Sequence, residues 1–121
     1  MRTLAVVLVV GLALVALAPS AHAAPLSEDD KIEALIRTVD QLKGATFVRN
    51  GSTYDCHDAA KHMRDKWKWK KDVIHSARDF IVVAASFSTQ TGKPYLIRWQ
   101  DGRELKSAEF LATELRKLEA P

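Results

Sequence analysis

The sequence has little of what usually betrays an activity. It holds one cysteine, Cys56, so no intramolecular disulfide can form and the fold must be held by packing. It lacks a G-x-S-x-G elbow, an H-E-x-x-H metal motif and a C-x-x-C pair. Gly92-Lys93 ends a polar stretch, but the first glycine of a phosphate-binding loop is missing and Pro94 follows. Residues 88 to 93 therefore read as a solvated loop. Charge of one sign is scarce as well. Eighteen Lys and Arg stand against 15 Asp and Glu, a balance that does not mark a nucleic-acid binder. After residue 23 no apolar run approaches membrane length, so no transmembrane segment is expected in the mature chain.

What is present begins with the N-terminus. Arg2 gives a positive start, Leu4 to Ala18 form an apolar run, and Pro19-Ser20 break it ahead of Ala21-His22-Ala23. This pattern predicts a secretory signal peptide over 1–23, with cleavage before Ala24. The run is shorter than the roughly 20 residues a spanning helix needs, which argues against an anchor. No cysteine follows it, which argues against lipid attachment. The expected product is a single domain over 24–121, periplasmic or secreted, in a setting where nucleic acid is not an expected partner.

Along that domain, Ser27 with Glu28, Asp29 and Asp30 opens a helix whose stripe is Ile32, Leu35, Ile36, Val39 and Leu42. A β-prone run ends at Asn50-Gly51, a tight-turn signal that should make Arg49, Asn50 and Gly51 a hairpin rather than a catalytic centre. A second helix starts at Asp55-Cys56, with Ala59, Ala60, Met63 and Trp67 on one face. A third starts at Ser76, with Ala77, Phe80, Ile81, Ala84 and Phe87 as its stripe and Val82-Val83 widening the band. Residues 95–99 form another strand, Asp101-Gly102 another turn, and Ser107 caps a last helix with Phe110, Leu111, Leu115 and Leu118. The sum is an α+β fold, about four helices on a small antiparallel sheet. Strand, Asn50-Gly51 and Cys56 are echoed 51 residues later by strand, Asp101-Gly102 and Ser107. That echo is either a structural repeat of two strand–turn–helix units or chance recurrence of a common pattern.

Few residues invite chemistry. Asp58 and His62 share a helix face, but two ligands fall short of the three or four a zinc site uses, so neither metal nor cofactor is expected. Cys56 sits at a helix N-terminus, where a thiolate is favoured, and is the candidate reactive thiol, with His57 or His62 as base. The plainer reading is a small buried cysteine.

The densest feature is KWKWKK at 66–71. Lys61, Arg64, Lys66, Lys68, Lys70 and Lys71 crowd eleven positions, opposed internally only by Asp65. On a helix Trp67 lies about 40° from Met63 and so in the apolar stripe, whereas Trp69 lies about 200° from Trp67. Trp67 should be core and Trp69 exposed. Arg64, Lys66, Lys68, Trp69, Lys70 and Lys71 are therefore the candidate ligand-binding residues, and the lysines also suit the negative pole of a helix end.

FVRNG at 47–51, Cys56 with Asp58 and Ala59, His62 and Arg64, SARDFI at 76–81, AAS at 84–86 and TGKPY at 91–95 resemble the YfeK-like family of small exported bacterial proteins of unknown function. The resemblance implies a bacterial, periplasmic protein and brings no activity with it. It does not reach KWKWKK. Two functional classes remain. The first is a non-enzymatic binding or accessory protein of the cell envelope, with an anionic component or an exported protein as partner. The second is a small thiol-dependent or hydrolytic enzyme centred on Cys56 and its histidines.

Overall fold

The computed structural model describes residues 24–121 and four isolated earlier positions, Thr3, Ala5, Gly11 and Ala13. The expected signal peptide otherwise lies outside the described residues. The elements run α1 Glu28–Asp40, β1 Ala45–Arg49, β2 Ser52–Asp55, α2 Cys56–Trp69, α3 Ala77–Ala84, β3 Leu96–Trp99, β4 Glu104–Lys106 and α4 Ser107–Glu119. Among the described residues, four helices pack with one antiparallel sheet of order β2-β1-β3-β4. The architecture is the α+β one expected.

Local chemistry sets most boundaries. The Asp30 N–H donates to Ser27 Oγ at 3.1 Å, and the Asp79 N–H does the same to Ser76 Oγ, capping α1 and α3. Asp55 caps α2 by accepting from the Asp58 N–H at 2.7 Å. At α4 the expectation fails. The cap position is Lys106, and Ser107, the first helical residue, is buried with an unpartnered Oγ. A second correction concerns α3. It ends at Ala84, where Ser86 Oγ donates back to the Ile81 carbonyl at 2.6 Å, so Phe87 leaves the helical stripe and lies 44% exposed.

The core is built on α1, whose Ile32, Leu35, Ile36 and Val39 are all essentially inaccessible and which packs against α2, α3 and α4. Trp67 joins this core, edge-on to Phe80 with ring centroids 6.5 Å apart. On the sheet, Phe47 and Ile97 are cross-strand partners and both are buried.

The echo is structural, with one amendment. Each unit is a hairpin followed by a helix, because Tyr54 and Leu105 lie in additional strands, β2 and β4. Tyr54 faces Phe47, and Leu105 faces Ile97. The offset is therefore 51 residues from β2 and α2 to β4 and α4, but 50 from β1 to β3. The difference is a loop residue. The first hairpin turns through Asn50 and Gly51, both at positive φ (51° and 79°), and the second turns through residues 100–102.

Candidate functional site

The basic cluster at the end of α2 divides into two faces. On one, Arg64 pairs with Glu33 of α1, and Lys71 Nζ lies 5.3 Å from the Trp67 ring centroid, with Lys68 beside them. On the other, Lys66, Trp69 and Lys70 border a groove of about 490 Å³ together with Arg49, His62, Val73, Val82 and Phe87. Trp69 is 68% exposed, as the helical spacing predicts, and Val73, Val82 and Phe87 are each 44–58% exposed. Among the described residues no carboxylate lines this groove.

A smaller cleft of about 280 Å³ adjoins it, sharing Arg49 and His62. Strand alternation explains the sheet side. Phe47 and Arg49 are two residues apart and so point toward the helices, as does Tyr54 opposite Phe47. Helical spacing explains the other wall, where Asp58 and His62, and Ala59 and Met63, are i, i+4 pairs on α2. Tyr95 closes one side, its ring 5.3 Å from that of Phe47. Apart from Tyr54 and Met63, every lining residue comes from the segments FVRNG, Asp58-Ala59, His62, AAS and TGKPY.

Those segments are also tied together. Asn50 Nδ2 donates to Ser88 Oγ at 3.1 Å, and Thr91 Oγ1 donates to Asn50 Oδ1. The turn of the first hairpin thus fastens the 88–93 loop, and Ser88 is fully buried beneath it.

The polar groups facing the cleft and groove are incompletely paired. Arg49 Nε and His62 Nε2 are both buried and have no hydrogen-bond partner, and no carboxylate pairs with Arg49 among the described residues. Burial pushes the His62 imidazole below its ordinary range, and the positive charges of Arg49 and Lys66 push it further against an opposing Asp65. Lys66 Nζ donates to Tyr95 Oη at 2.9 Å. Its 5.2 Å distance from the ring centroid fits this in-plane bond better than a cation over the ring face.

In the second unit the equivalent positions are filled by aromatic rings. The counterparts of Arg49 and Ala59 are Trp99 and Phe110, whose rings pack together at 6.0 Å between centroids. Aromatic bulk stands there where the first unit has a small residue and an open space.

The thiol is placed differently. Cys56 is 3% exposed and donates to the Ala45 carbonyl at 3.5 Å; burial first, and then Asp55, push its pKa up. The ring of His57 turns to Asp40 of α1, and that carboxylate holds it above the ordinary histidine range. Among the described residues no histidine is hydrogen-bonded to the thiol, and no three His, Cys, Asp or Glu side chains converge as metal ligands would.

Of the sequence candidates, then, Lys66, Trp69 and Lys70 come together at the groove, while Arg64, Lys68 and Lys71 lie on the other face. Sequence reasoning missed Arg49 and Tyr95. The alternation of β1 already placed Arg49 on the face of Phe47, a signal overshadowed by the adjacent turn.

The profile of the family of unknown function DUF5329 matches residues 26–119. The chain belongs to this family. The uncharacterized protein YfeK of Salmonella typhimurium strain LT2 is 41% identical over 68 residues, which is 56% of this chain and 57% of that protein. The matched segment thus spans little more than half of that relative. No solved structure matches the chain.

Proposed function

We propose that this DUF5329 protein is an exported, non-enzymatic binding protein of the cell envelope, and that its groove takes an anionic lipid. One observation carries the reading. Arg49, Lys66 and Lys70 border a groove that no carboxylate lines among the described residues, and the same groove exposes Trp69, Val73, Val82 and Phe87. A positive, water-facing apolar surface is complementary to a ligand with an anionic head and a hydrocarbon body. Export is supported by the leader-like pattern at 1–23. Binding is favoured over thiol chemistry by the burial of Cys56 and the engagement of His57 with Asp40.

Vesicle co-sedimentation tests the reading. Phosphatidylglycerol vesicles should retain the protein, phosphatidylcholine vesicles should not, and retention should weaken as salt rises. Trp69→Ala and the double variant Lys66→Gln/Lys70→Gln should each lose retention, while Lys68→Gln/Lys71→Gln on the opposite face should keep it. Equal retention of all three variants would place the function elsewhere.

A further inference from the structure

Two of the three buried side-chain polar atoms that lack a partner among the described residues, Arg49 Nε and His62 Nε2, belong to residues lining both the cleft and the groove. Leaving such a group unpaired is costly. Both side chains are only partly buried, so the rest of the guanidinium and of the ring stays open at this junction to a group that enters the groove. Lys66 stands at the same junction, and the Tyr95 hydroxyl that accepts its hydrogen bond keeps its own proton without an acceptor among the described residues. A guanidinium, an ammonium, a phenol and an imidazole meet there, and among the described residues no carboxylate stands on the groove side, Asp58 being on the cleft side. That inventory suits oxygen atoms of a single carboxylate or phosphate group.

We propose that Arg49, His62 and Lys66 seat the head of one monomeric, single-chain amphiphile, a carboxylate or phosphate whose hydrocarbon chain lies along Trp69, Val73, Val82 and Phe87. The inference rests on the lipid-binding reading above and narrows it, from adhesion to a charged surface to extraction of one molecule. The groove of about 490 Å³ falls within the roughly 300–1,000 Å³ typical of small-molecule sites. The anion would sit against Arg49 and Lys66, which now disfavour the charged imidazole, and would offset their push on it. Asp65 acts on the ring in the same sense, and Asp58 lines the adjoining cleft.

Calorimetric titration with decanoate, decyl phosphate, decanol and inorganic phosphate, each kept monomeric, tests the seat. The decyl anions should bind, decanol and inorganic phosphate should bind at least about tenfold more weakly, and the His62 ring should titrate at higher pH in the decyl phosphate complex than alone. Arg49→Gln should weaken decyl phosphate binding by about tenfold or more, the scale of a charge-assisted hydrogen bond, and Arg49→Lys should recover part of it. Thermal unfolding checks that each variant is folded. Val82→Asp, on the exposed face of α3, tests the chain path without touching the seat and should also weaken decyl phosphate. Decanol binding as tightly as decanoate, or Arg49→Gln binding like the parent, would overturn the seat. Inorganic phosphate binding as tightly as decyl phosphate would overturn the amphiphile. If anionic vesicles retain parent and Arg49→Gln alike while no monomer binds, the seat fails and surface docking stands. If the decyl anions bind but vesicles do not, the docking reading fails and the seat stands.

Discussion

Ala59 and Phe110 occupy equivalent positions on α2 and α4, and the difference in their size separates an open cleft from a filled one. Ala59→Phe should transplant the filled state into the first unit. We expect decyl phosphate binding to fall sharply, with the fold retained by circular dichroism, since the cleft has room to receive the ring. Overpacking costs typically about 1–3 kcal/mol, which sets the tolerable loss of stability. Undiminished binding would show that the cleft plays no part in the site.

The two tryptophans of α2 should differ widely in denaturant unfolding. Trp67 is 9% exposed and packs on Phe80, so Trp67→Ala should cost about 3–5 kcal/mol. Trp69→Ala should change stability by only about 0.5 kcal/mol. A large loss at Trp69 would mean that it supports the fold rather than a ligand.

Gly51 holds φ at 79° with nothing within 4 Å of where a Cβ would stand. Gly51→Val should therefore destabilise through the backbone alone, by about 1–2 kcal/mol. Gly51→Asn should be milder, because Asn tolerates that region, and chemical denaturation of the pair measures the difference.

The histidines on the two sides of α2 should titrate apart. His57, held up by Asp40, contributes stability that is complete below its unfolded pKa and is lost as pH rises through the raised folded value. His62, held down by burial, acts in the opposite sense; its contribution is complete above the unfolded value near 6.5 and is lost as pH falls toward the folded one. Because the two trends oppose each other in global stability, ring-proton NMR is the measurement. Coincident titration near 6.5 would contradict both environments.

Cys56 should react slowly with a thiol reagent in the native protein and fast in denaturant. Cys56→Ala should leave lipid binding unchanged. Cys56→Ser should cost about 1–3 kcal/mol if its hydroxyl is less well satisfied than the thiol. A fast native reaction would revive thiol chemistry.

Much of the scaffold was legible because its signals are local. The stripe of α1, the caps at Ser27 and Ser76, the Asn50-Gly51 turn and the opposite fates of Trp67 and Trp69 all follow from spacing within one element. β2 and β4 were not, since every residue in them is exposed and no apolar alternation marks them. Ser107 misled because a serine before an apolar run looks like a cap, whereas burial has drawn it into the helix. The lining of the candidate groove was legible only in part. Lys66, Trp69 and Lys70 announce themselves by density, but Arg49 and Tyr95 meet His62 only after the sheet has formed.

The pairing of β1 with β3 has a kinetic consequence. Each hairpin closes locally, and isolated hairpins form in about 1–10 μs. Phe47 finds Ile97 only after the intervening α2 and α3 are drawn in, a closure whose entropic cost grows with the logarithm of loop length. The central seam of the sheet is therefore expected to close after the hairpins, and until it closes each half would present a bare strand edge. Either edge can be met by the matching strand of another copy, so the seam that makes the sheet continuous is also where two nascent chains would exchange halves.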